Sequence, residues 1–260
     1  GQRRIAPADS GCEDRSACSA SDSGKIRAER MKKIMGTRIL FTGDSITDGN
    51  RYKEEKDRGD LNHQIGHSYA YVINAILGSK YPERDLQFVN RGISGNRVID
   101  LYGRMYEDMV EIKPDIVSIL VGINDGPQAE HARHATGKEA YGTIYRMMLG
   151  ELKRALPDVK IVLCEPFMGA DGPVYDPDKE TWRTCMEAYQ KEVKKIAEEF
   201  DAVFVPLQEV FDAAFQKRES SYWIWDGVHP TENGHGLIAK QWLKCTKELL
   251  GGTEHENYKI

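Results

Sequence analysis

The chain is predicted to be an α/β protein, a three-layer α/β/α sandwich on a five-stranded parallel sheet, and two features carry that prediction. Five short β-branched runs, at residues 38–42, 86–90, 116–121, 159–164 and 202–206, are apolar at nearly every position, as strands covered on both faces must be. Longer segments of helical periodicity separate them, at residues 68–77, 98–110, 138–156 and 178–200. Strand and helix in alternation require parallel pairing through right-handed crossovers, which lay helices on both faces of the sheet.

Taken in order, the first strand is Arg38-Ile39-Leu40-Phe41-Thr42, and Met31-Lys32-Lys33 just ahead of it reads as the natural start of a single domain over 31–260. Residues 1–30 are polar and turn-rich, with Arg3, Arg4, Asp9, Glu13 and Asp14 among several serines, and are expected to be an N-terminal extension. An ordered arm of this kind would pack on the body or on a neighbouring subunit, because a polar tail alone cannot offset its ordering entropy. The strand at 86–90 ends in Asn90, and that at 116–121 runs Ile116-Val117-Ser118-Ile119-Leu120-Val121. In the helix predicted over 178–200, Trp182, Met186, Tyr189, Val193, Ile196 and Phe200 recur at spacings of three and four, a core-facing stripe. A closing helix is predicted over 235–250.

Composition narrows the function classes. A net charge of -5, with basic residues scattered among acidic ones, argues against a nucleic-acid footprint and favours a neutral or weakly polar substrate. No apolar run approaches the roughly 20 residues that a membrane span needs, so no membrane association is expected. Residues 1–30 lack the apolar stretch of a secretory signal, and the sequence leaves open what precedes Gly1. Cys12, Cys18, Cys164, Cys185 and Cys245 are an odd, sparse set without CxxC spacing, read as thiols in a reducing, cytoplasmic setting.

Ligands of an open parallel sheet collect at the carboxyl ends of its strands, and three motifs fall there. Ser45, in Gly43-Asp44-Ser45-Ile46-Thr47-Asp48, follows the first strand; Gly43 permits a sharp path that presents a hydroxyl at the sheet edge, and the Ser45 N–H can face a developing oxyanion. The same stretch also suits a turn with a helix cap. Gly95, after the second strand, has no side chain to keep a carbonyl oxygen from its N–H, and Asn124, after the third, can donate its side-chain amide to that oxygen. Near the far end, His229 supplies a base whose ordinary pKa lies near working pH, and Asp226 can reach back through a turn to its Nδ1 proton. Nucleophile, oxyanion donors and an acid–base pair together equip a site for ester hydrolysis.

These blocks resemble the four signature blocks of the SGNH, or GDSL-type, esterases: Gly43-Asp44-Ser45, Gly95 within Asn90-Arg91-Gly92-Ile93-Ser94-Gly95-Asn96, Gly122-x-Asn124-Asp125, and Asp226-x-x-His229. The similarity runs from about Ile39 to Leu243. By that resemblance the fold is the flavodoxin-like SGNH hydrolase fold, Ser45 is the nucleophile, Ser45, Gly95 and Asn124 form the oxyanion hole, His229 is the base and Asp226 orients it. The reaction so implied is acyl-ester hydrolysis through an acyl-serine, with no metal or organic cofactor. Within the family the chain looks most like acetylxylan esterases, carried also by Trp225-Asp226 and Pro230, which implies an acetylated xylo-oligosaccharide or similar small-molecule ester as substrate and a homo-oligomeric assembly. The first thirty residues and the loop 128–136 depart from that pattern.

Substrate contacts are expected at Asp44 and at Trp225, which adjoins the triad; with Tyr222 and Trp223 it could wall a saccharide site, although terminal aromatics equally well pack inside. His63 with His67, and His131 with His134 beside Glu130, lack a third ligand at diagnostic spacing, so no metal is expected. Asp171, Asp176 and Asp178 lack the spacing of a calcium loop, and the mixed charges of 53–60 read as an exposed loop. Competing readings are a lysophospholipase or thioesterase using the same machinery, and a binding module that keeps the fold without catalysis.

Overall fold

β1 (Arg38–Gly43) pairs in parallel with β2 (Gln87–Asn90) on one side and β3 (Ile116–Leu120) on the other, and β4 (Lys160–Cys164) and β5 (Val203–Val205) continue the sheet beyond β3. The computed structural model describes residues 36–53, 61–127, 136–175 and 179–251. The N-terminal extension expected over 1–30, the loop 128–135 and the thiols of Cys12 and Cys18 lie outside them. Strand order is β2-β1-β3-β4-β5, with all five strands parallel, as their apolar runs predicted. Every residue of β3 is buried, while the edge strands β2 and β5 are only half covered, since among the described residues no strand pairs with their outer sides.

Helices cover both faces. α1 (Ser45–Asp48) follows β1, then α2 (Leu61–Ile65), α3 (Tyr69–Lys80), α4 (Val98–Gly103), α5 (Lys138–Ala155), α6 (Lys179–Glu199), α7 (Gln208–Phe215), α8 (Ser220–Trp223) and α9 (Glu232–Cys245). α3 packs against α9, and Tyr69 and Trp242 from these helices meet Phe41 of β1 with ring centroids 5.8 and 5.5 Å away. The Trp242 indole N–H donates to Ser118 Oγ at 3.0 Å, which satisfies the one polar atom that this large ring brings into the core. On the other face α4, α5 and α6 pack in series. The stripe predicted on α6 faces inward: Trp182, Met186, Tyr189, Val193 and Ile196 are buried, and Phe200 packs at its rim.

Of the boundaries that differ from the sequence reading, among them the end of the closing helix at Cys245 and not 250, two have clear local reasons. The closing helix starts at Glu232 because the Thr231 side chain accepts the Gly234 N–H and caps it there. The helix predicted over 98–110 stops at Gly103 and resumes as a π-helical turn, Tyr106–Val110. A glycine weakens the helix at the break. The adjoining Arg104 side chain turns away to bond the carbonyls of Gly43 and Arg91.

Backbone contact between the first two loops is very close at Gly92, where a Cβ would stand 2.3 Å from the amide nitrogen of Asp48. Gly92→Ala is therefore expected to cost about 1–3 kcal/mol through forced backbone displacement. Urea unfolding of both proteins measures the loss; an unchanged midpoint would contradict the close approach.

Candidate active site

Gly43 ends β1 opposite Leu120 of β3, where a Cβ would lie 2.1 Å from the Leu120 carbonyl oxygen, so only glycine lets the two strands end together. Asp44 then caps α1: its Oδ1 accepts the Ile46 N–H at 2.9 Å. Ser45 heads that helix, where a backbone N–H has no intrahelical acceptor and stays available to an oxyanion. Its Oγ lies 2.8 Å from His229 Nε2, a contact across 184 positions of sequence.

His229 is held within its own turn. Asp226 Oδ2 sits 2.6 Å from His229 Nδ1, while Asp226 Oδ1 accepts the backbone N–H groups of His229 and Val228 at 2.7 and 2.9 Å. Gly227, at φ 98°, makes the turn, an isolated antiparallel bridge between Ile224 and Pro230 closes it, and Gly169 N–H donates to the Gly227 carbonyl at 2.7 Å from the loop after β4. Burial pushes the Asp226 carboxyl up, but the His229 side chain and the two amides outweigh it and leave the carboxyl below its ordinary value. The Asp226 hydrogen bond raises the His229 pKa, against burial, with the charges of Asp226 and Asp44 adding to the rise. One carboxylate thus fixes the ring orientation, its tautomer and its basicity.

Two more loops reach this point. Gly95, at φ 80°, has nothing within 4 Å of where a Cβ would be, so its face is open. Its neighbour Ser94 is tied down: N–H and Oγ both donate to Asp48 Oδ2, at 3.0 and 3.2 Å. Ile93 N–H donates to the Gly43 carbonyl at 3.1 Å, joining this loop to the Ser45 turn. Asn124 lies on a 3₁₀ turn, Ile123–Asp125, and its Nδ2 donates to the Asn96 carbonyl at 3.1 Å. Asp125 secures that turn by accepting the Val98 N–H at 3.1 Å; burial pushes its carboxyl up to about 7, against hydrogen bonds from Thr136 and Val98.

The structure therefore joins Ser45, His229 and Asp226 by hydrogen bonds, and ties the loop of Gly95 to the Ser45 turn and Asn124 to the end of that loop. Asp44 departs from its expected substrate contact: it is 1% exposed and its carboxyl points into the cap of α1, so the alternative reading of that stretch as a helix cap describes it. Burial raises its pKa to about 7, opposed by the Ile46 amide and by His229. Trp225 is 62% exposed and stacks over His229, ring centroids 6.0 Å apart at 22°. Trp223, by contrast, packs against the core and pairs edge-on with Tyr222.

Sequence reading passed over Asp48, Asn90 and Arg104. Asn90 Nδ2 donates to the carbonyls of Thr47 and Ile65 at 2.7 and 2.8 Å, and its Oδ1 accepts Gly92 N–H at 2.8 Å, so it stitches the first two loops. Asp48 and Asn90 sat inside the motif blocks, and the place of Asn90 at a strand end was a usable signal; Arg104 carried none. Among the described residues no group of three or more His, Cys, Asp or Glu side chains could hold a metal, and no helix is long and apolar enough to cross a membrane. His67 Nε2 lies 3.4 Å from Asn50 Nδ2, and Lys53 pairs with Asp48 at 2.8 Å. Residues 54–60, Glu130, His131, His134, Asp176 and Asp178 lie outside the described residues.

A parallel sheet with a Ser–His–Asp relay at its carboxyl rim is equipped for acyl transfer through serine, and the matches that follow make the class that of the carboxylic ester hydrolases. The sequence profile described as GDSL-like Lipase/Acylhydrolase family matches residues 41–237. The chain belongs to that family. An acetylxylan esterase of Geobacillus stearothermophilus is 37% identical over 216 residues, 82% of this chain and 95% of that protein. The solved structure of an acetylxylan esterase from the same organism matches at TM-score 0.71 and 34% identity, over 86% of this chain and 98% of that one. Solved forms of that enzyme include catalytic mutants in which a serine or an aspartate is replaced by alanine. An alpha/beta hydrolase from the metagenome of Lake Arreo, Spain, matches at TM-score 0.71 and 31% identity, over 83% of this chain and 97% of that one.

The raised His229 pKa fixes a pH dependence. Free base predominates only above that pKa, so the acid limb of kcat/KM is expected above 6.5 in the wild type. Asp226→Asn removes the raising hydrogen bond, and should move that limb to lower pH while lowering kcat by about 10⁴-fold through the wrong tautomer. A pH–rate profile of both proteins on a soluble ester reads both effects, and an unmoved limb would refute the coupling.

Proposed function

We propose that the chain hydrolyses short acyl esters, acetyl above all, on carbohydrate such as acetylated xylo-oligosaccharides, through an acyl-serine intermediate. The observation that carries the mechanism is the unbroken line from Ser45 Oγ through His229 to Asp226, with hydrogen-bond lengths of 2.8 and 2.6 Å. In the first half-reaction Ser45 Oγ attacks the ester carbonyl as His229 Nε2 takes its proton. The carbonyl oxygen gains the negative charge and is met by the N–H groups of Ser45 and Gly95 and by Asn124 Nδ2. Collapse expels the sugar oxygen, which receives the proton from His229. Water then gives its proton to His229 and attacks the acyl carbon; a second collapse returns the proton to Ser45 Oγ and releases the free acid. Each oxyanion donor is worth about 10²- to 10³-fold in turnover.

Two things support the sugar substrate. Relatives of 37% and 23% identity are acetylxylan esterases, although the chain spans 42% of the length of the second. In addition, Trp225 offers a largely exposed aromatic face beside His229, a surface on which a sugar ring can stack. We assign Trp225 to substrate binding on that ground. Cys164, Cys185 and Cys245 are free thiols, which supports the cytoplasmic reading, and we retain a homo-oligomer as the assembly to test by light scattering.

On a small acetate ester Ser45→Ala should lose several orders of magnitude in kcat while wild type prefers acetyl over octanoyl esters; equal rates for the variant, or an octanoyl preference, would sink the reading. Trp225→Ala should raise KM for acetylated xylo-oligosaccharides by about threefold to tenfold and leave KM for methyl acetate unchanged. Parallel losses on both substrates would remove Trp225 from the sugar site.

A further inference from the structure

Three donors can meet one oxygen only if three separate loops keep a fixed relation, and one side chain bonds two of them directly and reaches the third through a single residue. Arg104 follows α4, its side chain only 16% exposed. Nη2 donates to the Gly43 carbonyl at 3.2 Å, in the turn that presents Ser45. Nη1 donates to the Arg91 carbonyl at 2.8 Å, where the Gly95 loop begins, and Nε donates to Asn96 Oδ1 at 2.7 Å, where that loop ends. Asn96 in turn accepts the Asn124 amide on its own carbonyl at 3.1 Å. One rigid guanidinium thus clasps both ends of the Gly95 loop and the Ser45 turn, and holds Asn124 at one remove.

The planar fork of arginine suits this task, since it presents donors at fixed angles, whereas a lysine ammonium is a single flexible point. Asp108 aims the fork: its Oδ2 lies 2.6 Å from Arg104 Nη1, and its Oδ1 lies 3.6 Å from Arg91 Nε. Asp108 stands in the π-helical turn that replaces the expected continuation of α4, and π turns are rare and concentrate at functional sites. The local break in the helix thus gains a reason, which is to bring residues 104 and 108 to the loops.

We propose that Arg104 is the positioning residue of the oxyanion hole, acting through Gly43, Arg91 and Asn96 to set the convergence of the Ser45, Gly95 and Asn124 donors. It rests on the esterase mechanism proposed above, which makes those three groups donors. Displacing a donor by about 1 Å costs on the order of 10²-fold in rate, so the effect falls on kcat, not on ground-state binding.

The test compares Arg104→Met, Arg104→Lys, Asn96→Ala and the Arg104→Met/Asn96→Ala pair with wild type on a small acetate ester, alongside inhibition by phenylboronic acid, which forms a tetrahedral adduct on serine. Arg104→Met is expected to lower kcat by about 10- to 100-fold with KM within about threefold, and to weaken boronate inhibition in step with kcat. Arg104→Lys should recover little, and the double variant should be no slower than Arg104→Met alone. A merely structural role would lower the melting temperature while leaving kcat and boronate affinity of the folded protein unchanged, and that result overturns the proposal, as do additive losses in the double variant. If Arg104→Met fails to fold, Asp108→Asn, which releases the fork without removing it, is expected to show the same paired loss of kcat and boronate affinity; unchanged values overturn the proposal. Ser45→Ala separates the two readings: an active Ser45→Ala refutes the serine mechanism itself, while an inactive one beside an unimpaired Arg104→Met refutes only the role of Arg104.

Discussion

Parallel pairing of β1 with β2 on one side and β3 on the other sends three loops off the sheet at the same rim. The crossovers from β1 to β2 and from β2 to β3 run in opposite directions across the sheet, and the reversal opens a crevice between the carboxyl ends of β1 and β3. Ser45, Gly95 and Asn124 each lie within a few residues of a strand end, so their meeting follows from strand order before any side chain is considered. Only the Asp226–His229 turn arrives from elsewhere, laid over the rim by the close packing of Gly169 and Gly172 against its backbone.

Loops at such a rim carry backbone polar groups into the interior, and each one left unpaired would cost about 1–3 kcal/mol. The molecule answers with short, fully bonded side chains between neighbouring loops. Asp48 takes hydrogen bonds from Arg51 and Ser94, Asn90 bridges the first two loops, and Asp125 joins the third to α4. Asp44 is one exception among the described residues, since its Oδ2 makes no hydrogen bond there. Burial without a partner on that oxygen pushes the Asp44 carboxyl up to about 7, against the Ile46 amide and the nearby His229.

What could be read in the sequence was whatever depends on residue type at short range. Strand runs were legible because burial on both faces removes polar residues, and all five stand where their apolar character placed them. Asp226 and His229 were legible because acid and base are three residues apart. Asp44 was ambiguous, since the same Gly-Asp-Ser stretch suits a substrate contact and a helix cap, and only burial separates the two. Arg104 was invisible, as its bonds to Gly43 cross 61 positions and nothing in helical periodicity marks a side chain about to leave its helix. For the same reason the break after Gly103 was missed, and α1, α2 and α8 are too short for any period to register.

The two links of the relay differ in how far they reach along the chain. The inner one, His229 to Asp226, closes across three residues, and the outer one, Ser45 to His229, across 184. Closing a short loop costs little chain entropy and a long one more, so the base and its carboxylate can adopt their arrangement in a partly folded chain that has no site. The outer link exists only once the turn after β1 and the loop after β4, on which the His229 turn packs, stand in their native places. Turnover therefore reports completion of folding more strictly than any spectroscopic signal from a single helix or strand, and recovery of activity during refolding should be the last event of the process.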